Sequence, residues 1–205
     1  MAILKQLLGG NEEAIAEKAA RIMKKGGVVI FPTESSYGIG VDATNEVAIK
    51  KIAPVKQQPE EKNISIIVAD IEQAEQFGIL GEEARKLAEK FMPGPLTLVV
   101  KKKPGVSAVL AETTIAFRIS ENRFARKVCE KLGNGITATS ANLHGRPSIY
   151  SGKEVVREFN NRVHMIVDAG ELVHNAPSTI YNVQEKRVLR HGPITEQQIK
   201  QALGE

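Results

Sequence analysis

Four stretches of this chain gather hydroxyls, amides and cations where any loop-forming residue would serve. The first, "FPTESSYGIGVDA", places Thr33, Ser35 and Ser36 just after an apolar β-branched run. Ligands favour that position, the carboxyl end of a strand in an α/β sheet. Gly38 and Gly40 would let backbone approach a ligand or take positive φ. Taken alone, a tight turn around a buried Tyr37 accounts for this segment equally well. The second, "PVKQQPEEKN", sets Lys56 and Lys62 on a proline-anchored loop, a pattern suited to phosphate oxygens and also common on solvated surfaces. The third, "TATSANLHGRPS", delivers Thr139, Ser140 and Asn142 into a Gly/Pro loop. These side chains can bind a small polar substrate or their own backbone. The fourth runs from "APSTIYNV" to "VLRHG": Ser178 and Thr179 open one strand and Arg190 ends the next. Arg118 stands mid-strand in "AFRIS", where its charge requires either a salt-bridge partner or an anionic ligand.

Other chemistries find little support. There is no nucleophile–base pair, no P-loop and no Gly-x-Gly-x-x-Gly fingerprint. The single cysteine, Cys129, excludes an intramolecular disulfide, and the four histidines lack zinc-cage spacing. Hence no protein-held metal is expected. Tryptophan is absent and aromatics are 4%, which disfavours a stacking platform for single-stranded nucleic acid. A net charge of +4 permits an anionic substrate or RNA without demanding either. No apolar run approaches membrane length, and the N-terminal run is too short for a signal peptide. A cytoplasmic location is therefore expected.

The elements that must position these residues are legible in outline. "NEEAIAEKAARIMKKGG" reads as a helix capped by Asn11 and stopped by glycines 26 and 27, with Ile15, Ala19 and Ile22 on one face. Apolar strands are expected at "VVIFP", "ISIIVA", "LTLVVKK", "IAFRI", "GITATSA", "VHMIVDAG" and "STIYNV", with "RVLR" as an edge strand. Helices are expected at "NEVAIKKIA", "DIEQAEQF", "EEARKLAEKFM", "RFARKVCEKLG", "KEVVREF" and "TEQQIKQALG". This interspersed order predicts an α/β (α+β) fold: one domain over 1–205, with a twisted mixed sheet flanked by helices.

In this order and spacing, "FPTESSYGIGVDA", "VKQQP", "PGPLTLVV", "FRIS", "TSANLHG", "PSTI" and "VLRHG" resemble the signature segments of the YrdC/Sua5 family, the threonylcarbamoyl-AMP synthases of tRNA modification. The resemblance runs from about residue 12 to 193, and the length resembles the short single-domain form. It implies a mixed sheet curled around a basic concave cavity. It also implies a reaction of L-threonine, bicarbonate and ATP that yields threonylcarbamoyl-adenylate and pyrophosphate. Mg²⁺ would be held through the ATP phosphates, and a transfer complex would act on tRNA.

Carried over by position, Thr33, Arg118 and Ser178 match threonine-binding residues, with Tyr37 shaping the pocket wall. Lys56, Ser140 and Asn142 match the catalytic Lys and Ser-x-Asn motif. Lys56, Thr114, Ser140 and Arg190 match nucleotide contacts. The family's Lys-x-Arg reads Lys56-Gln57-Gln58 here, so Gln58 stands at a nucleotide-binding position without a charge, and Lys62 is expected to restore part of it. Two other readings are a non-catalytic double-stranded-RNA-binding module of the same fold, and an ATP-using carbamoyl transferase domain like those inside hydrogenase-maturation proteins. The lack of zinc-finger and acylphosphatase-like segments speaks against the latter.

Overall fold

The computed structural model describes residues 1–59 and 64–205. Strand β1 (Ile3–Gln6) leads into helix α1 (Glu12–Lys24). The expected Asn11 cap is not formed. Its Oδ1 accepts from Leu8 N at 3.0 Å and its Nδ2 donates to Gln6 O at 3.0 Å, so the side chain turns back and ties the incoming strand instead. The helix buries Ile15, Ala16, Ala19, Ala20 and Met23, leaving Ile22 at the margin.

Strands β2 (Val29–Pro32) and β3 (Tyr37–Gly40) form an antiparallel hairpin around residues 33–36. β3 lies in a segment whose sequence reads as loop. Neither Gly38 nor Gly40 takes positive φ. Gly40 is required for space: a Cβ there would stand 2.7 Å from the Phe31 ring and from Thr137 O. "NEVAIKKIA" divides into α2 (Glu46–Lys50) and α3 (Ile52–Lys56), and β4 (Ile66–Val68) follows. Next come α4 (Ile71–Ala74), a single turn shorter than expected, then β5 (Gly78–Ile79) and α5 (Glu82–Phe91).

Strands β6 (Leu96–Lys102) and β7 (Thr114–Ile119) pair antiparallel, and α6 (Arg123–Leu132) packs against α1. The segment "GITATSA" is broken at Ala138 into β8 (Ile136–Thr137) and β9 (Thr139–Ser140). Helix α7 (Gly152–Phe159), β10 (Met165–Asp168), β11 (Thr179–Asn182), β12 (Arg187–Arg190) and α8 (Glu196–Leu203) complete the order.

The fold class is the mixed α/β arrangement expected, built among the described residues as two sheets. One has the order β1-β10-β2-β3-β9; the other runs β12-β11-β6-β7-β4-β8, with β5 beside β6. β8 pairs with β4 and β9 with β3, so the break at Ala138 carries the chain from one sheet to the other. β2 is buried on both faces. Val29 and Phe31 pack with α1 and α6, and Ile30 packs into the cluster shared with Leu98 and Phe117 of the second sheet. Such burial gives a run of apolar residues with no polar alternation.

Candidate active site

The β2–β3 turn begins the site. Thr33 Oγ1 donates to Ser36 O at 2.7 Å and accepts from the backbone N–H of Ser35 and Ser36, both at 3.3 Å. The hydroxyl closes its own turn, as Ser and Thr often do. That turn directs Glu34 at Arg118: Oε1 lies 2.5 Å from Nη1, with both side chains 12% exposed. The Ser120 hydroxyl donates to Glu34 Oε2. Arg118 thus has the salt-bridge partner that its mid-strand position required.

A cavity of about 380 Å³ opens beside this pair. That volume lies within the range of small-ligand sites. Its walls include Thr33, Tyr37, Arg118, Ser140, Ser178 and Arg190, six of the residues expected from sequence. Lys56 is buried at the C-terminal end of α3, and its Nζ donates to Thr139 Oγ1, a wall residue, at 2.7 Å. The backbone continues the link, with His144 N donating to Lys56 O at 2.9 Å.

Arg190 reaches across from β12. Its Nε and Nη2 donate to Ser178 O at 3.0 and 2.9 Å, and Nη2 also contacts Ser178 Oγ at 3.1 Å. Ser178 Oγ lies 2.7 Å from Thr97 Oγ1. Burial, then the nearby charge of Arg118, pull the Arg190 guanidinium below its ordinary pKa. Among the described residues Arg190 has no ion pair, so its charge faces the cavity uncompensated by a carboxylate of its own. Tyr37 contributes its ring as wall. Its hydroxyl donates to Gly170 O at 2.9 Å and accepts from Ala169 N at 2.8 Å, and burial pushes its pKa up to about 12.

Three expected residues stand elsewhere. Asn142 lines a neighbouring cavity of about 550 Å³, which shares Ser148 and Tyr150 with the first. Its Nδ2 donates to Leu143 O at 3.0 Å and Arg146 O at 2.7 Å, while Oδ1 meets the Ser140 hydroxyl. In this geometry it orients Ser140 and its loop. Thr114 is half-buried at the far end of β7 and outside the cavity wall. It shares the face of Arg118, about 13 Å along the strand by the usual rise. Gln58 is also outside the wall, and its Nε2 is buried with no hydrogen-bond partner among the described residues. Lys62 lies outside the described residues.

Ser65, Thr97, Ser148, Tyr150 and Asn175 belong to the wall and were not singled out from sequence. Asn175 ties its loop to the turn through Nδ2→Glu34 O at 2.8 Å, and the Tyr150 and His174 rings stack at 3.7 Å. Nothing local marks these residues; only the meeting of distant loops does. Glu34 carried a readable signal, an acid among hydroxyls in a chain whose mid-strand arginine needed a partner.

For a metal the donor set is poor. No group of three or more His, Cys, Asp or Glu positioned to hold an ion occurs among the described residues. Glu34, the carboxylate beside the cavity, is engaged by Arg118 and Ser120. These donors do not fit a protein-held ion. They leave open an ion carried in on phosphates, the usual habit of Mg²⁺.

The chain thus combines a mixed α/β fold with a hydroxyl- and arginine-lined cavity at the junction of two sheets. Residues 21–192 match the Sua5/YciO/YrdC family model, whose description reads telomere recombination, and the chain belongs to that family. Among its relatives, a putative threonylcarbamoyl-AMP synthase of Methanocaldococcus jannaschii is 33% identical, with 92% of each chain covered. The threonylcarbamoyl-AMP synthase of Bacillus subtilis is 36% identical over 96% of this chain but only 58% of its own. The structure of P. abyssi Sua5 complexed with L-threonine superposes with a TM-score of 0.89 at 34% identity, covering 100% of this chain and 61% of that one. E. coli YciO shares the fold, with a TM-score of 0.84 at 24% identity, covering 94% and 97%.

Proposed function

We propose that this chain is a threonylcarbamoyl-AMP synthase, a nucleotidyltransferase that joins L-threonine, bicarbonate and ATP. The observation that carries the reading is one cavity walled by Arg118, Arg190, Ser140 and Ser178, with Lys56 bonded to its wall at Thr139. The names of the relatives and the threonine complex of P. abyssi Sua5 support it, and favour it over a non-catalytic double-stranded-RNA-binding role.

The chemistry needs no protein nucleophile. The amine of threonine attacks the carbon of CO₂ or bicarbonate, forming a carbamate with loss of a proton, and of hydroxide in the bicarbonate case. A carbamate oxygen then attacks the α-phosphorus of ATP, and the bond to pyrophosphate breaks. The protein contributes position and charge. In this reading Arg118 holds the threonine carboxylate, with Thr33, Tyr37 and Ser178 around it. Lys56 and Ser140 face the phosphates, and Asn142 holds Ser140 in place. Arg190 takes a further nucleotide contact from the cavity wall, and Thr114 and Gln58 would meet only parts of the nucleotide that extend beyond it. Lys62 takes the remaining nucleotide contact. Mg²⁺ would travel with the triphosphate. The product would serve threonylcarbamoylation of tRNA in the cytoplasm; no described helix is long and apolar enough to cross a membrane.

Purified protein is expected to release pyrophosphate from ATP only when threonine and bicarbonate are both present. Lys56→Ala and Arg118→Ala should each lower that rate at least about 100-fold, as loss of a buried charged contact to the transition state does. Wild-type rates in both folded variants would remove these roles.

A further inference from the structure

Glu34 has no part in the reading above, yet it is the acid paired with Arg118 of the cavity wall. It lies behind Arg118, outside the cavity wall, with its Oε1 2.5 Å from Arg118 Nη1. Ser120 is fully buried and fastens the other carboxylate oxygen. The Thr33-closed turn fixes the backbone on one side, and Asn175 Nδ2 fixes Glu34 O on the other. The Ser120 hydrogen bond and the ionic contact with Arg118 hold the carboxylate, and the anchored backbone holds the base of the side chain, so the charge is presented to Arg118.

That charge matters because Arg118 has a cationic neighbour. Arg190 is close enough for the charge of Arg118 to disfavour its protonated form. Two guanidiniums with no acid would attract any anion, a carboxylate without an ammonium included. Glu34 reduces the local excess from two positive charges to one. One positive charge suits a single carboxylate and tolerates an ammonium beside it, whereas two would repel the ammonium.

Resting on the threonine reading, we propose that Glu34 is a specificity-determining positioning residue. It orients Arg118, and its negative charge reserves this end of the cavity for an α-amino acid zwitterion over anions that lack an ammonium. The two effects separate experimentally. Loss of orientation weakens every carboxylate alike, whereas loss of charge changes the preference between a zwitterion and a bare anion.

The test is calorimetric titration with L-threonine and with 3-hydroxybutanoate, which keeps the carboxylate and hydroxyl and lacks the amine. The wild-type protein should prefer threonine by at least about tenfold, since a charge a few ångströms away is worth that much at a partly buried site. Glu34→Gln should shrink this ratio by about tenfold, partly through tighter 3-hydroxybutanoate binding. Ser120→Ala, which frees Glu34 to move off Arg118, should shrink it by a smaller factor, and Glu34→Asp should keep it. A ratio unchanged in the folded Glu34→Gln or Ser120→Ala variants overturns the proposal, as does a wild-type protein that binds the two ligands equally. A wild-type protein that binds no threonine would bring down the threonine reading first, and this inference with it.

Discussion

Tyr37 shows how a residue in a signature segment can serve the site without touching chemistry. Its hydroxyl joins β3 to the backbone at Ala169 and Gly170, and its ring is fully buried. Gly152 is pressed against the same place: a Cβ there would lie 3.0 Å from the Tyr37 hydroxyl and closer still to Asp168. Burial raises the Tyr37 pKa from 10.0 to about 12. Below pH 10 the phenol is neutral in both folded and unfolded chains. Between pH 10 and 12 the unfolded chain releases the proton and the folded one keeps it. Stability is therefore lost as pH rises through that window, by on the order of 2–3 kcal/mol. The buried Cys129 thiol is also pushed up by burial and adds to the loss from lower pH. Denaturant titrations of wild type and Tyr37→Phe isolate the tyrosine. The variant should be less stable at pH 8, having lost both hydrogen bonds, and its stability should fall less steeply than wild type above pH 10. Parallel curves would show that Tyr37 ionises freely in the folded protein.

At the scale of elements, the site depends on how closely β11 and β12 approach. Arg190 grips the backbone of Ser178, and Gly192 is packed against the same peptide. A Cβ at 192 would stand 2.5 Å from Pro177 O and Thr179 N and 2.8 Å from Ser178 C. Backbone atoms cannot yield to such contacts, so Gly192→Ala must move Ser178 and the arginine bound to it. The expected cost is about 1–3 kcal/mol of stability, typical of overpacking. The Michaelis constant for threonine should rise more than tenfold, roughly the loss of one charged hydrogen bond. Thermal melts and threonine-dependent kinetics check both, and an unchanged Michaelis constant would place Ser178 outside the threonine subsite.

The sequence marked the polar strand ends because separate clusters of hydroxyls and amides follow apolar strands, more than turn formation alone calls for. It also disclosed the long helices and strands, where apolar period and punctuation agree. It did not disclose β3, whose "YGIG" lacks a β-branched run and owes its extended form to β2 and β9. Nor did it disclose the change of sheet at Ala138, since a continuous β-branched run carries no sign of which neighbour each half will pair with. Thr33 and Asn142 sit where the site is, and their polar atoms are engaged largely by their own loops, a pairing with backbone that residue type and spacing do not reveal. Gln58 stands where the resemblance implies a cation, and its buried amide nitrogen is unmatched among the described residues.

At the scale of the whole molecule, the cavity joins two sheets. Thr33, Tyr37 and Ser140 come from the β2–β3–β9 side, while Thr97, Arg118 and Arg190 come from β6, β7 and β12. Covalent links between the sheets at the site are the short passage through Ala138, whose N–H donates to Ser65 O at 2.8 Å, and the β10–β11 connection that carries Asn175 and Ser178. A ligand that bonds to both sides therefore crosslinks them, and its binding energy adds to the stability of the assembled fold. At 100 times its dissociation constant a ligand stabilises the folded state by about 2.7 kcal/mol. For a domain of this size that corresponds to a rise in melting temperature of roughly 5–10 °C. Threonine and ATP together should exceed either alone, because each bound ligand adds its own mass-action stabilisation. Hydrogen exchange then locates the effect. Protection should increase at Thr139–Ser140 and along β7 and β11 together. Protection confined to one sheet would mean that the ligand occupies one wall only, and the convergence of Lys56, Arg118, Ser140 and Ser178 on a common substrate would fail.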